Sequence, residues 1–153
     1  MQEKLLLERF KIYELGFPKM DQDHLNILRS IDHLRALMPK GDIALLDEAF
    51  SKFRKEADAH FSFEESIMRT YGFPYLDWHK EVHDGIRTKL TQVSYEIKEN
   101  KNKNRFLLEM SLTDILETHF ISHIDDLDRQ LVNFLRSKGL LLAALTSSEQ
   151  DQK

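Results

Sequence analysis

The chain contains no cysteine. Disulfides, cysteine nucleophiles and thiolate metal sites are therefore excluded, and with the last goes a structural zinc site built on sulfur. The absence also fits a reducing compartment. Proline and glycine are scarce, three and five in 153 residues, which leaves room for long helices with few interruptions. No apolar run approaches the roughly 20 residues that span a bilayer. Leu140 to Leu145 falls far short, and Leu5-Leu6-Leu7 is too short for a signal core and is flanked by Glu3, Lys4, Glu8 and Arg9. Neither sign of charge dominates: a net charge of −4 supports solubility and gives no electrostatic case for nucleic acid. The expectation is a soluble cytoplasmic protein with neither a membrane nor a nucleic acid as partner.

What is present is ordinary in amount, 41% hydrophobic and 31% charged, and the length suits one domain with a sizeable core. Punctuation divides it. Gly16-Phe17-Pro18 ends an N-terminal arm, and Met38-Pro39-Lys40-Gly41-Asp42 is a turn with Asp42 as N-cap. Gly72-Phe73-Pro74 closes one helix and opens the next. The polar run Glu99 to Asn104 reads as a loop, and Gly139 stops the last long helix. Helices are expected over 20–38, 42–71, 75–99 and 104–137, with a bundle domain over 1–138 and a tail over 139–153.

Spacing assigns the buried faces. Met20, His24, Ile27, Ile31, Leu34 and Met38 form a 3–4 stripe on the first helix. The second carries Leu46, Phe50, Phe53, Ala57, His60, Glu64, Ile67 and Tyr71, and the third Leu76, His79, His83, Ile86, Leu90, Val93 and Ile97. The fourth is wider: Leu112, Leu116, His119, His123, Leu127, Leu131 and Phe134. Sustained 3–4 alternation is the seam of a left-handed bundle. Four such helices with short connections predict an all-α, up-down-up-down four-helix bundle, with the N-terminal arm and a short C-terminal helical tail added.

Each stripe also carries histidine, and the second adds Glu64. An unpaired buried carboxylate costs several kcal/mol. Five imidazoles and a glutamate converging in one core do not all satisfy one another, and metal ions would satisfy them. His33, nine residues after His24 and roughly opposite on the helix, reads as solvated. Imidazole with carboxylate suits iron, zinc, manganese or copper. In His79-Lys80-Glu81-Val82-His83 the glutamate sits one place too late for H-E-x-x-H, and no glutamate lies three residues before any histidine. Five histidines with bridging carboxylates exceed one tetrahedral ion and suit two metals.

At these residues the chain resembles the hemerythrin family, in particular its single-domain bacterial members. The pattern is Met20-Asp21-Gln22-Asp23-His24, His60-Phe61-x-x-Glu64-Glu65 with Met68, His79-x-x-x-His83, and His123-Ile124-x-x-x-Asp128, over about residues 10–137. The resemblance implies a non-haem di-iron centre, two iron ions bridged by an oxo or hydroxo group and two carboxylates. It assigns His79, His83 and His123 to one iron, His24 and His60 to the other, and Glu64 and Asp128 to both. It also implies dioxygen as the ligand of the iron with fewer histidines, in a dry apolar pocket. Spacing alone supports Asp128 least: five residues after His123, it falls about 140° round an ideal helix, beside Asp125 and Asp126, which read as solvated.

The sequence departs from the family at His119, where many members carry tryptophan. His119 and His123 repeat the H-x-x-x-H spacing, which leaves His119 open as a ligand. It is placed instead in the oxygen pocket or at its mouth, with Ile27, Phe61, Phe120 and Ile124; the alternative is a core histidine paired to a backbone carbonyl. Phe10 and Tyr13 are expected to pack over the bundle end. The implied function is reversible dioxygen binding for storage, delivery or buffering. The alternatives are a di-iron peroxidase or oxidase that uses His119 as proton donor and takes peroxide, and a redox sensor that signals through the tail to a protein partner the sequence does not name.

Overall fold

The structure is a computed structural model and describes residues 8, 10–99 and 105–150. After a short 3-10 turn over Lys11–Tyr13 come α1 (Pro18–Leu37), α2 (Ile43–Tyr71) and α3 (Leu76–Glu99). The fourth helix, α4, begins as Arg105–Thr113 and widens into π-helical turns over Asp114–Ile121 and Ile124–Asp128. It returns to α-helix over Arg129–Ser137, and α5 is Leu141–Gln150. Among the described residues there is no strand, so the fold is the all-α bundle expected. None of the described helices is long and apolar enough to cross a membrane.

The stops fall where local chemistry requires. Pro18 begins α1 because its fixed φ suits a first turn and its missing N–H is not needed there. Asp42 caps α2, its carboxylate accepting the Leu45 N–H at 3.1 Å. Gly72, at φ 67°, lets the Phe73 N–H turn back to the Met68 carbonyl at 2.9 Å and swings Phe73 into the core. Of the expected loop Glu99 to Asn104, the part 100–104 lies outside the described residues.

Cross-helix contacts give the direction of each helix. His24 meets His60 and Ser30 meets Glu56; Arg54 meets Thr91 and Glu65 meets His83; His83 meets His123 and Lys89 meets His119; His24 meets Asp128 and Arg35 meets Glu117. Numbers rise on one helix as they fall on its neighbour, so each neighbouring pair is antiparallel. The arm is tied across α4: Arg129 donates to the Ile12 carbonyl at 2.9 Å and Arg136 to the Leu15 carbonyl at 3.2 Å. Phe10 and Tyr13 pack against the larger apolar cluster. Tail helix α5 adds Ala144 to the apolar cluster that holds Leu15, Phe17, Met20 and Leu135.

The interior has two apolar layers. One centres on Phe50, Phe53, Phe61 and Phe120, the other on Phe17, Met20, Met68 and Leu131. Between them lie His24, His60, Glu64, His79, His83, His123 and Asp128, all buried. Each buried phenylalanine contributes roughly 1.5–3 kcal/mol, so the two layers supply the stability that a polar middle does not.

Candidate metal centre

Each helix delivers its polar residues by a local rule. His60 with Glu64, and His79 with His83, are i,i+4 pairs that stack one turn apart on α2 and α3. His24 comes from α1. On α4 the rule changes. His123 and Asp128 are five apart, and the intervening residues Ile124–Asp128 form a π-helical turn. Its i→i+5 bonding stacks residues five apart, so Asp128 faces inward with His123 rather than lying to one side. The Asp128 carboxylate is fully buried, 3.0 Å from His123 Nε2, while Asp125 and Asp126 are exposed.

The seven side chains form two overlapping groups. Glu64, His79, His83, His123 and Asp128 place one ligand atom each within 4.8 Å of one another, and so do His24, His60, Glu64 and Asp128. Both carboxylates belong to both groups. Glu64 turns Oε1 to His60 at 3.5 Å and Oε2 to His83 at 3.2 Å. Asp128 turns Oδ2 to His24 at 3.2 Å and Oδ1 to His79 at 3.3 Å. The imidazoles converge through Nε2: 3.0 Å for His24 and His60, 2.9 Å for His83 and His123, 3.2 Å for His79 and His123.

Such a set is ill-satisfied by protons alone. All four carboxylate oxygens of Glu64 and Asp128 are buried without a hydrogen bond. Nitrogens facing each other across 3 Å need one proton between them, and the electrostatics give protons no common home. Burial, then repulsion from Asp128, pushes the Glu64 carboxyl well above its ordinary range. Burial would raise Asp128 too, but His123, His24 and His60 hold it well below. Burial would lower His60, yet Glu64, Asp128 and Asp23 draw it up to about 10. Burial, then His123 and His79, pushes His83 down to about 2. Burial and His60 also lower His24. Cations between the two groups would answer every one of these orphaned lone pairs, and nitrogen-plus-carboxylate donors suit a first-row transition metal. The cluster fits a metal site.

Apolar residues close one side. Phe61 stacks on His83 with ring centroids 4.2 Å apart and on Phe120 at 5.5 Å, and Ile27, Phe61, Phe120 and Ile124 are wholly buried. His119 does not join them. Its side chain is 30% exposed and meets Asp114 at 3.3 Å and Lys89 on the outer face of α3 and α4. The reason lies in the wide turn Asp114–Ile121, which stacks Asp114 with His119 and breaks the α-helical register that would align His119 with His123. The wide turn thus carries His119 to Asp114 and Lys89 rather than in among Ile27, Phe61, Phe120 and Ile124, and a side chain 30% exposed does not fit the core-histidine alternative. His33 is exposed, as its helical position required.

Two acidic residues at the edge of the stripes stand behind ligand candidates: Asp23 behind His60 and Glu65 behind His83. Periodicity did not mark them. The available signal was adjacency, since each is the chain neighbour of a stripe residue, His24 or Glu64.

A family profile described as Hemerythrin HHE cation binding domain matches residues 15–135. The chain is similar to the bacteriohemerythrin of Aquifex aeolicus (strain VF5), 29% identical over 108 residues, which covers 69% of this chain and 82% of that protein. It is 26% identical over 127 residues to the bacteriohemerythrin of Clostridium acetobutylicum, covering 79% of this chain and 95% of that one. The myohemerythrin of Theromyzon tessulatum is 26% identical over 91 residues, 60% of this chain and 71% of that protein. No solved structure matches the chain at a significant level.

Proposed function

The chain belongs to the hemerythrin family, and from that premise we propose that it is a non-haem di-iron protein that binds dioxygen reversibly, for storage, delivery or buffering. The observation that carries this reading is the division of the donors. Two carboxylates span a group of three histidines and a group of two. His79, His83 and His123 would hold one iron, His24 and His60 the other, and Glu64 and Asp128 both. When bound, a reduced iron pair supplies the two electrons that dioxygen takes on binding and returns on leaving.

The chain's own part is to hold, orient and keep dry. The unequal histidine count leaves room for a ligand on the two-histidine side. Phe61, Ile27, Phe120 and Ile124 bring apolar surface to the cluster, which excludes water and spare proton donors. The peroxidase reading depended on His119 as a proton donor near the metals. With His119 on the outer face beside Asp114, that reading has no donor to rest on.

The test is an optical spectrum of anaerobically reduced, iron-loaded protein, taken before O2, after O2 and after O2 is stripped away. A charge-transfer band that appears with O2 and vanishes on stripping is expected. Direct, irreversible passage to the ferric spectrum would overturn reversible binding.

A further inference from the structure

Each metal-facing imidazole has a second ring nitrogen, and the structure treats these unequally. His83 Nδ1 lies 3.0 Å from Glu65 Oε1. The same oxygen accepts from Arg87 Nη1 at 2.8 Å. Arg87 is itself held by Asp58 at 2.7 Å and Asp84 at 2.9 Å, and its guanidinium sits 5.4 Å over the Phe61 ring. On the other side of the cluster His60 Nδ1 faces Asp23 Oδ2 at 3.6 Å, and Lys19 donates to Asp23 Oδ1 at 2.5 Å. Asp23 Oδ2 is buried with no other partner. Nδ1 of His24, His60 and His123 is buried without a hydrogen bond, and of these three His60 is the one that faces a carboxylate. One histidine of each donor group is thus backed by a carboxylate, and each carboxylate by a cation.

We propose that Glu65 and Asp23 are positioning residues, one for each metal: each fixes the proton of its histidine on Nδ1, so that Nε2 of His83 or His60 is a bare donor aimed into the centre. The inference rests on the two-metal reading above. A neutral imidazole protonated on one nitrogen offers its lone pair on the other, and a carboxylate behind the N–H both locks that tautomer and makes the donor more basic.

The two relays differ in stiffness. Arg87 presents a planar fork shared among Glu65, Asp58 and Asp84, which holds Glu65 in one orientation. Lys19 offers a single point charge on a flexible stem, and the His60–Asp23 gap is wider than a hydrogen bond. The three-histidine metal is therefore rigidly held. The slack falls on the two-histidine metal, where a ligand must enter and leave.

Zinc, which is diamagnetic, serves as the probe. In the zinc-loaded chain, nitrogen-15 NMR should show His83 and His60 protonated on Nδ1. In Glu65→Ala the His83 Nδ1–H signal should be lost to solvent exchange and zinc should pass to a chelator about 10–100-fold faster. Asp23→Ala should do the same to His60 with a smaller change in rate. Glu65→Gln and Asp23→Asn keep an accepting oxygen, so they should restore the N–H signals and most of the retention; these conservative variants carry the test should either alanine variant fail to fold. Variants that keep both N–H signals and release zinc at the parent's rate overturn the proposal alone. A parent chain that takes up fewer than two zinc ions overturns the two-metal reading and the proposal with it.

Discussion

At the residue scale, Glu64 separates what the site costs the fold from what it does. Its two oxygens are buried and unpartnered, and it shares the interior with a second carboxylate. Burial and Asp128 hold its carboxyl well above the ordinary range, so in the metal-free core it is an unsatisfied polar group, which costs about 1–3 kcal/mol relative to an apolar side chain of similar volume. Metal-free Glu64→Leu should therefore be more stable to urea than the metal-free parent, while its metal stoichiometry falls below that of the parent. His60 gives a second expectation. Burial disfavours its charge, but Glu64, Asp128 and Asp23 hold its proton up to about 10, so at pH 7 the metal-free ring is protonated. Coordination through Nε2 needs that proton gone. Metal loading at pH 7 should acidify a weakly buffered solution, and apparent affinity should rise as pH climbs from 7 toward 10. Uptake with no proton release, measured by the base needed to hold pH, would contradict the charge assigned to His60.

At the scale of the element, α4 decides the outcome. A continuous α-helix would put Asp128 at the edge of the apolar stripe and His119 on it. The π-turns reverse both placements, bringing Asp128 to His123 and carrying His119 out to Asp114. A wide turn is an α-turn with one extra residue, so the two spacings are interchangeable at a single site. Deleting exposed Asp126 should convert the His123–Asp128 spacing to i,i+4, keep both side chains inward and preserve two-metal uptake. Inserting an alanine after Asp126 should instead swing the carboxylate away and reduce the stoichiometry. Metal analysis of the two variants, alongside circular dichroism to verify helix content, distinguishes them. The opposite ranking would show that the wide turn is not what aims Asp128.

At the scale of the whole molecule, the fold is two apolar layers with a polar layer between them; the arm packs against both layers and α5 against the second. Convergence of four helices on one cluster means that no isolated helix holds a complete donor set. Metal binding is then linked to folding, because the unfolded chain offers no preformed site. A metal at 100 times its dissociation constant stabilises by about 2.7 kcal/mol, which for a chain of this size corresponds to roughly 5–10 °C in Tm. Chelator-treated protein should melt lower by at least that interval and recover on reloading. Equal melting temperatures with and without metal would mean that the cluster does not bind it in the folded state.

The sequence by itself determined the helices, their stops and three of the four buried stripes, because these follow from interactions within a few residues: a missing proline N–H, an Asp42 cap, a left-handed glycine, a 3.6-residue period. It also marked His24, His60, Glu64, His79, His83 and His123 as inward, since each sits on a regular stripe. Asp128 was legible only through family resemblance. What the tertiary structure alone decided is the pitch of α4, and with it the inward turn of Asp128 and the outward turn of His119. Local hydrogen bonding favours the α-turn by default, and a wider turn persists only where packing against the other helices offsets the poorer backbone ladder. The same holds for Glu65 and Asp23. Their place behind His83 and His60 depends on how α2 meets α3 and α1, and spacing along one helix carries no record of it.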